Sequence, residues 1–245
     1  MLDYTGPSKT KIRSIFDSIA PTYDRANDVL SLGLHRGWRK RLVKKAKVQP
    51  GMKILDCATG TGDLAFEFEK GLSTFWSSTV SSKVVGVDTS ERMLDQARAR
   101  GRKKGSSVHF QAADLTELPF ESDHFDACSV SFGIRNVEDP VKGLRELARV
   151  TRPGGTVWIL EFGQPKARGF GSLYRSYSKW VLPHLGGMIT GKPDAYRYLE
   201  SSAERFPSGE DFLKLARKAE CWESVRYWPV MTGLAYIYSL QVAKQ

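Results

Sequence analysis

Apolar residues fall along this chain in two alternating patterns. Short aliphatic and β-branched runs occur at 53–57 (KILDC), 83–88 (KVVGVD), 108–112 (VHFQA), 125–130 (FDACSV) and 155–161 (GTVWILE). Runs of this kind read as strands covered on both faces. Between them, 62–70, 90–104 and 140–151 have the look of helices. Strands alternating with helices predict right-handed crossovers and a parallel sheet. The two ends depart from that scheme. Residues 9–47 read as helical, with the first helix ending at Pro21, and 171–184 and 208–219 read as further helices. ESVRYWPV and LAYIYSLQVA, separated by Met231-Thr232-Gly233, predict an antiparallel hairpin closing one edge of the sheet. The tract 73–83 (STFWSSTVSSK) reads as a Ser/Thr-rich connecting loop.

The length of 245 residues suits one α/β domain with a substantial core. Cys57, Cys128 and Cys221 are far apart and odd in number, which argues against a disulfide framework and against a CxxC metal site. No metal is expected, and a reducing compartment fits. The N-terminal stretch lacks the basic start and apolar run of a signal peptide, and nothing offers the roughly 18 apolar residues of a membrane span, so a cytoplasmic location is expected. The net charge of +10 is concentrated at 35–47 (HRGWRKRLVKKAK) and 98–104 (RARGRKK), which suits RNA, anionic lipid headgroups or an acidic metabolite. The second run reads as a solvated helix face. The first, backed by Leu42, Val43 and Ala46, reads as a basic amphipathic helix able to lie on an anionic membrane surface.

ILDCATGTGDLAFEF (54–68) is strand, glycine turn and helix. Gly60 and Gly62 permit a tight bend and close approach to a ligand, and the following helix offers free N–H groups. Gly60-x-Gly62-x-x-Ala65 with Asp88 at the next strand end also satisfies a dinucleotide fingerprint, so the loop alone does not separate NAD from S-adenosylmethionine. Three neighbours favour S-adenosylmethionine. Asp56 before the glycines would repel a pyrophosphate but tolerate an ammonium. Asp114 in QAADLTELPF is placed to accept from an adenine amine, with Leu115 beside the ring. The Pro-Gly-Gly turn in ARVTRPGGTVWILEF is something a nicotinamide enzyme does not require. Taken singly, a strand-end Asp is often a helix cap and Pro-Gly-Gly only a turn.

The chain resembles the S-adenosylmethionine-dependent C-methyltransferases of ubiquinone and menaquinone biosynthesis. The resemblance covers nearly its whole length and rests on YDRANDVLSLGLHRGW (23–38), LDCATGTGDL (55–64), VSFGIRNVEDP (130–140), RVTRPGG (149–155), LEF (160–162) and YRYLESS (196–202). It implies a single-domain Rossmann-like methyltransferase fold: a seven-stranded, mostly parallel sheet with an antiparallel C-terminal hairpin and an N-terminal helical lid. Its divisions would be a lid (1–48), a cofactor-binding core (49–165), a substrate flap (166–207), and a C-terminal helix with the edge hairpin (208–245). The implied reaction is methylation of a ring carbon of a polyprenylated hydroquinone. The family's cofactor positions fall on Thr61, Asp88, Asp114 with Leu115, and Ser131. Ala26 stands where the family usually has Met, and Ala58 and Thr59 replace smaller or glycine residues.

Ring-carbon attack needs a phenolate-like neighbour, and a phenol with pKa ~10 does not supply one unaided. Arg135 in SFGIRN, beyond the fourth strand, is the first candidate to stabilise that charge, with Asn136 orienting it or holding the second ring oxygen. The alternative is that Arg135 pairs with Glu138 or Asp139. Tyr23, Asp24, Asn27, His35 and Arg36 are expected to form a polar lid over the cofactor, with Asp24 or His35 accepting the proton and Val29, Leu30, Leu32 and Leu34 buried beneath. Tyr196, Arg197 and Tyr198 would close the quinol pocket, or else belong to the core. Residues 170–191 suit a tail groove or a dimer interface. A nucleic-acid acceptor is disfavoured by the absence of an Asn/Asp-Pro-Pro-aromatic segment, of a Pro-Cys nucleophile and of an RNA-binding module. A non-catalytic subunit of a quinone-biosynthesis complex is disfavoured by the intact acid and glycine set.

Overall fold

Each of the five apolar runs becomes a strand in the computed structural model, which describes residues 4–73, 83–165, 188 and 190–244. They are β1 (Lys53–Cys57), β2 (Lys83–Asp88), β3 (His109–Ala112), β4 (Phe125–Ser131) and β5 (Thr151–Phe162). The hairpin supplies β6 (Trp222–Val230) and β7 (Ala235–Val242). The seven strands run in the order β3-β2-β1-β4-β5-β7-β6, with β1 to β5 parallel and β7 inserted antiparallel between β5 and β6. Strand order reverses between β1 and β4, so loops leaving their carboxyl ends diverge and open a crevice.

The helices are α1 (Lys9–Ile19), α2 (Tyr23–Leu30), α3 (Leu34–Ala46), α4 (Asp63–Ser73), α5 (Glu91–Lys104), α6 (Pro140–Val150), α7 (Pro193–Arg205) and α8 (Glu210–Arg217). Alternation along the strands divides the core in two. Leu55 and Cys57 face Leu144, Leu147, Phe212 and Leu213 of α6 and α8. Ile54 faces Leu42, Leu64, Phe68, Leu94 and Ala97 of α3, α4 and α5. A third, smaller cluster gathers Ile19, Ala20, Ala26, Leu30, Met93, Ala195 and Tyr196, and so joins α1, α2 and α7 over α5.

Several expectations change in detail. The strand read at 155–161 begins at Thr151, because the Pro-Gly-Gly stretch continues as extended chain and Thr151 pairs with Phe125 across a register shift. Of the aliphatic residues expected beneath the lid, Leu30 is buried, whereas Val29, Leu32 and Leu34 are 42%, 82% and 38% exposed. The reason is local: α2 stops at Leu30, and Leu32 and Gly33 take left-handed backbone with φ of 51° and 71°, which breaks the helical period. The run 98–104 is not simply a solvated face. Arg98 pairs with Glu91 and Asp95, and Arg100 turns onto Asp24 and Asp63. In the first basic run Arg39 is buried on Asp63 and Lys45 lies 4.0 Å over the Trp228 ring. The helix read at 171–184, the flap as far as residue 187, and most of the Ser/Thr-rich loop lie outside the described residues.

Candidate active site

A cleft of about 810 Å3, its open mouth included, lies at the carboxyl ends of β1, β2 and β4. Its floor is the glycine turn. Gly60 (φ +56°) donates its N–H to Asp88 Oδ2 at 2.9 Å, and Asp88 Oδ1 accepts from the Ser90 N–H at 2.9 Å. A Cβ on Gly60 would meet nothing within 4 Å, so the residue is demanded by its left-handed backbone and leaves the wall open. On Gly62 (φ +86°) a Cβ would strike the Phe110 and Phe66 rings at 2.8 and 2.9 Å. Ala58 also lines the cleft, in left-handed backbone (φ +50°), where an alanine is strained by ~1–2 kcal/mol. Gly133, which lines the same cleft, packs directly on Ala58: a Cβ there would come within 2.5 Å of the Ala58 Cβ.

The carboxylates around the turn differ in what they hold. Burial raises the Asp88 pKa, opposed by the N–H groups of Ser90 and Gly60. Asp114 pairs with Lys9 Nζ at 2.6 Å and accepts from the Thr116 N–H and hydroxyl. Burial works against its charge, but the Lys9 and Thr116 bonds together outweigh that and hold its pKa below the usual value. Asp56 stands behind the turn, 1% exposed, accepting from the Thr59 and Ser129 hydroxyls at 2.7 Å each. Burial pushes its pKa up to about 6 against those two bonds. Leu115 and Ser131 are on the wall, and Ser131 Oγ is buried with no hydrogen-bond partner among the described residues. An orphaned hydroxyl facing a cleft needs a ligand or water.

Over this floor sit Ile12 and Phe16 of α1 and Tyr23 of α2. Asp24, next to Tyr23, accepts the Thr61 hydroxyl at 2.5 Å and pairs with Arg100 at 3.0 Å. Thr61 is 3% exposed, behind the wall like Asp56. Asn136 is at the rim, its Oδ1 accepting from Tyr198 Oη at 2.8 Å. Arg135 lies deeper, 3% exposed, donating to Glu161 Oε1 at 2.5 Å, to the Phe132 carbonyl at 2.7 Å and to Ser202 at 3.3 Å. Its acid is thus Glu161, while Asp139 caps α6 by accepting from the Lys142 N–H.

At this point the comparison with known proteins is decisive: residues 4–240 match the ubiE/COQ5 methyltransferase family. The chain belongs to the ubiE/COQ5 methyltransferase family. A "Ubiquinone/menaquinone biosynthesis C-methyltransferase UbiE" of Bdellovibrio bacteriovorus is 46% identical over 232 residues, spanning 95% of this chain and 96% of its own. A "Demethylmenaquinone methyltransferase" of Thermus thermophilus is 43% identical over 224 residues, 91% of this chain and 98% of its own. Among solved structures, a Thermotoga maritima protein described as an S-adenosylmethionine-dependent methyltransferase, possible histamine N-methyltransferase, superposes with a TM-score of 0.63. At 21% identity, over 95% of this chain and 100% of that one, it supports the fold alone.

The methyl donor of a ubiE/COQ5 methyltransferase is S-adenosylmethionine, and the donor set is one that can hold it: a carboxylate clasped to the glycine turn, a second acid beyond β3, and the unsatisfied Ser131 hydroxyl at the end of β4. Other expected site residues lie outside the cleft wall. His35 is 4% exposed, bonded through Nδ1 to the Ser31 hydroxyl, with Nε2 3.6 Å from Asp28; burial, then Arg39, lower its pKa to about 4. Arg36 faces solvent on Asp28, and Arg197 faces solvent on Asp194. Tyr196 is 3% exposed within the α1–α2–α7 cluster, its hydroxyl unpartnered among the described residues. Lys9, Ile12 and Phe16 of the wall, and Glu161 behind Arg135, were not singled out from the sequence. The apolar face of α1 was the available signal for Ile12 and Phe16, and the LEF motif (160–162) for Glu161; Lys9 had none.

Proposed function

We propose that this chain transfers a methyl group from S-adenosylmethionine to a ring carbon of a polyprenylated hydroquinone, in the manner of demethylmenaquinol becoming menaquinol. The observation carrying the reading is the cleft itself, where Gly60, Asp88, Asp114 and Ser131 meet Asn136 and an aromatic lid at the point where strand order reverses. In this reading Asp88 holds the ribose hydroxyls, Asp114 and Leu115 the adenine, and Ser131 a polar atom of the cofactor. Asp56 faces the methionine ammonium from behind the turn.

When bound, S-adenosylmethionine supplies an electrophilic methyl, so the protein's tasks are alignment, exclusion of water and activation of the ring. Phe16, Tyr23 and Ile12 exclude water from above. Asn136 holds a ring oxygen, its amide fixed by the Tyr198 hydroxyl. Arg135 stabilises developing phenolate charge from beneath, as half of an ion pair whose other half, Glu161, moderates its field. Asp24 lies off the cleft wall, held by the Thr61 hydroxyl and Arg100, and there it anchors the lid rather than taking the ring proton. Tyr198 bounds the substrate from the α7 side through its bond to Asn136. Among the described residues no helix is long and apolar enough to cross a membrane. The exposed Lys40, Arg41 and Lys44 of α3 suit peripheral contact with anionic lipid, from which a polyprenyl substrate would be drawn.

The test is methyl transfer from labelled S-adenosylmethionine to reduced short-chain demethylmenaquinol, beside the matching benzoquinol and bulk RNA. Asn136→Ala is the informative variant, because Arg135→Ala would strand the buried Glu161 charge at a cost of about 3–5 kcal/mol. Label in a quinol, reduced about tenfold or more in Asn136→Ala with cofactor binding intact, is expected. Label only in RNA would overturn the acceptor.

A further inference from the structure

Arg100 lies on α5, outside the cleft wall, yet its guanidinium reaches the glycine turn, the lid and the start of α4 at once. Nη1 donates to the Thr61 carbonyl and to Thr61 Oγ1, both at 2.8 Å, and lies 3.0 Å from Asp24 Oδ2. Nη2 donates to Asp63 Oδ1 at 2.6 Å. The other Asp63 oxygen accepts from Arg39 of α3 at 2.8 Å, and the other Asp24 oxygen accepts the Thr61 hydroxyl at 2.5 Å. The guanidinium carbon also rests 5.6 Å from the centre of the Phe66 ring, which packs edge-on against Phe110. One side chain thus bridges the lid helix α2, the glycine turn and the start of α4.

We propose that Arg100 is a positioning residue for cofactor binding, the clasp that holds the lid helix α2 down on the glycine turn. Its effect runs through two neighbours. Thr61 directly follows Gly60, whose N–H is fixed on Asp88 in the cleft floor, so anchoring the Thr61 carbonyl sets the path of the turn. Asp24 directly follows Tyr23, whose ring covers the cleft, so anchoring Asp24 sets how closely the lid approaches. Without Arg100, Asp24 and Asp63 would face each other as like charges with Arg39 and the more distant Arg36 left to offset them, and the repulsion would push α2 away from the turn. A forked guanidinium meets two carboxylates and a carbonyl at once, which a lysine ammonium does with poorer geometry.

The inference rests on the cleft being the S-adenosylmethionine site. Calorimetric titration with S-adenosylmethionine and with S-adenosylhomocysteine, on wild type, Arg100→Gln and Arg98→Gln, tests it. Arg98 is the control: it lies on the same helix with its own pairs to Glu91 and Asp95, and touches neither lid nor turn. Arg100→Gln is expected to weaken both ligands by about tenfold or more and to raise the cofactor KM in step. Its kcat at saturating cofactor should stay within about threefold of wild type, and Arg98→Gln should bind as wild type does. Should Arg100→Gln fail to fold, Arg100→Lys carries the same comparison. Equal affinity in the Arg100 variant and wild type, or equal weakening in both variants, would overturn the clasp. No binding by wild type would instead sink the reading of the cleft on which it stands.

Discussion

At the scale of single residues, ionisable groups around the site are pushed in opposite directions by the same burial. His35 titrates at about 4 in the folded protein against 6.5 when free, so between those values the unfolded chain binds more protons. Stability from keeping His35 neutral is therefore present above pH ~6.5 and drains away as pH falls toward 4. Asp56, raised to about 6, has the reverse sign: from the ordinary carboxylate value up to 6 the folded state binds the extra proton, and stability rises as pH falls. The raw pH profile mixes the two, so a difference between proteins isolates one. Between pH 7.5 and pH 5, wild type should lose about 2 kcal/mol more than His35→Gln in urea unfolding, whereas parallel profiles would mean that His35 is not held neutral.

At the scale of elements, the central strands were legible because a parallel strand covered on both faces is a continuous apolar run with turn residues at its ends. β1 and β2 match the reading to the residue. The glycine turn and the acids after β2 and β3 were legible for a related reason: each sits within a few residues of the strand that positions it. Lys9 and Arg100 were not, and Glu161 only as part of the LEF motif, since each acquires its meaning from a partner brought close only by folding. The N-terminal strap is the same case. Tyr4 Oη donates to the Arg135 carbonyl at 2.7 Å and the Gly6 N–H donates to the Glu138 carbonyl at 2.9 Å, so the chain ahead of α1 is laid along the loop that carries Asn136. A Cβ on Gly6 would fall 2.0 Å from the Val137 carbonyl oxygen, a backbone atom with nowhere to go. Gly6→Ala should therefore lift the strap and slacken α1. The expected result is cofactor affinity lowered several-fold with only a small change in thermal midpoint, since the sheet core is untouched; unchanged affinity would show that the strap does not hold the lid.

At the scale of the whole molecule, the chain divides into a sheet with its two helical layers and a cap made of α1, α2 and α7. The cap's apolar cluster reaches the rest through Met93 of α5 and through polar ties at Asp24 and Lys9. The cleft wall draws from both parts: Ile12, Phe16 and Tyr23 above, Gly60, Asp88 and Ser131 below. A ligand that binds only with the cap closed stabilises closure by RT ln(1 + [L]/Kd), about 2.7 kcal/mol at a hundred times Kd. Openings of the cap that expel the ligand should become about a hundredfold rarer under that condition, while local openings of the β6–β7 hairpin, remote from the cleft, are not linked to it. Amide hydrogen exchange with and without S-adenosylhomocysteine measures this directly. Slowed exchange in α1, α2 and α7 with an unchanged hairpin is the expected pattern. Uniform slowing would mean that cap and sheet open as one unit, and that access to the cleft is gained by some other route than lifting the cap.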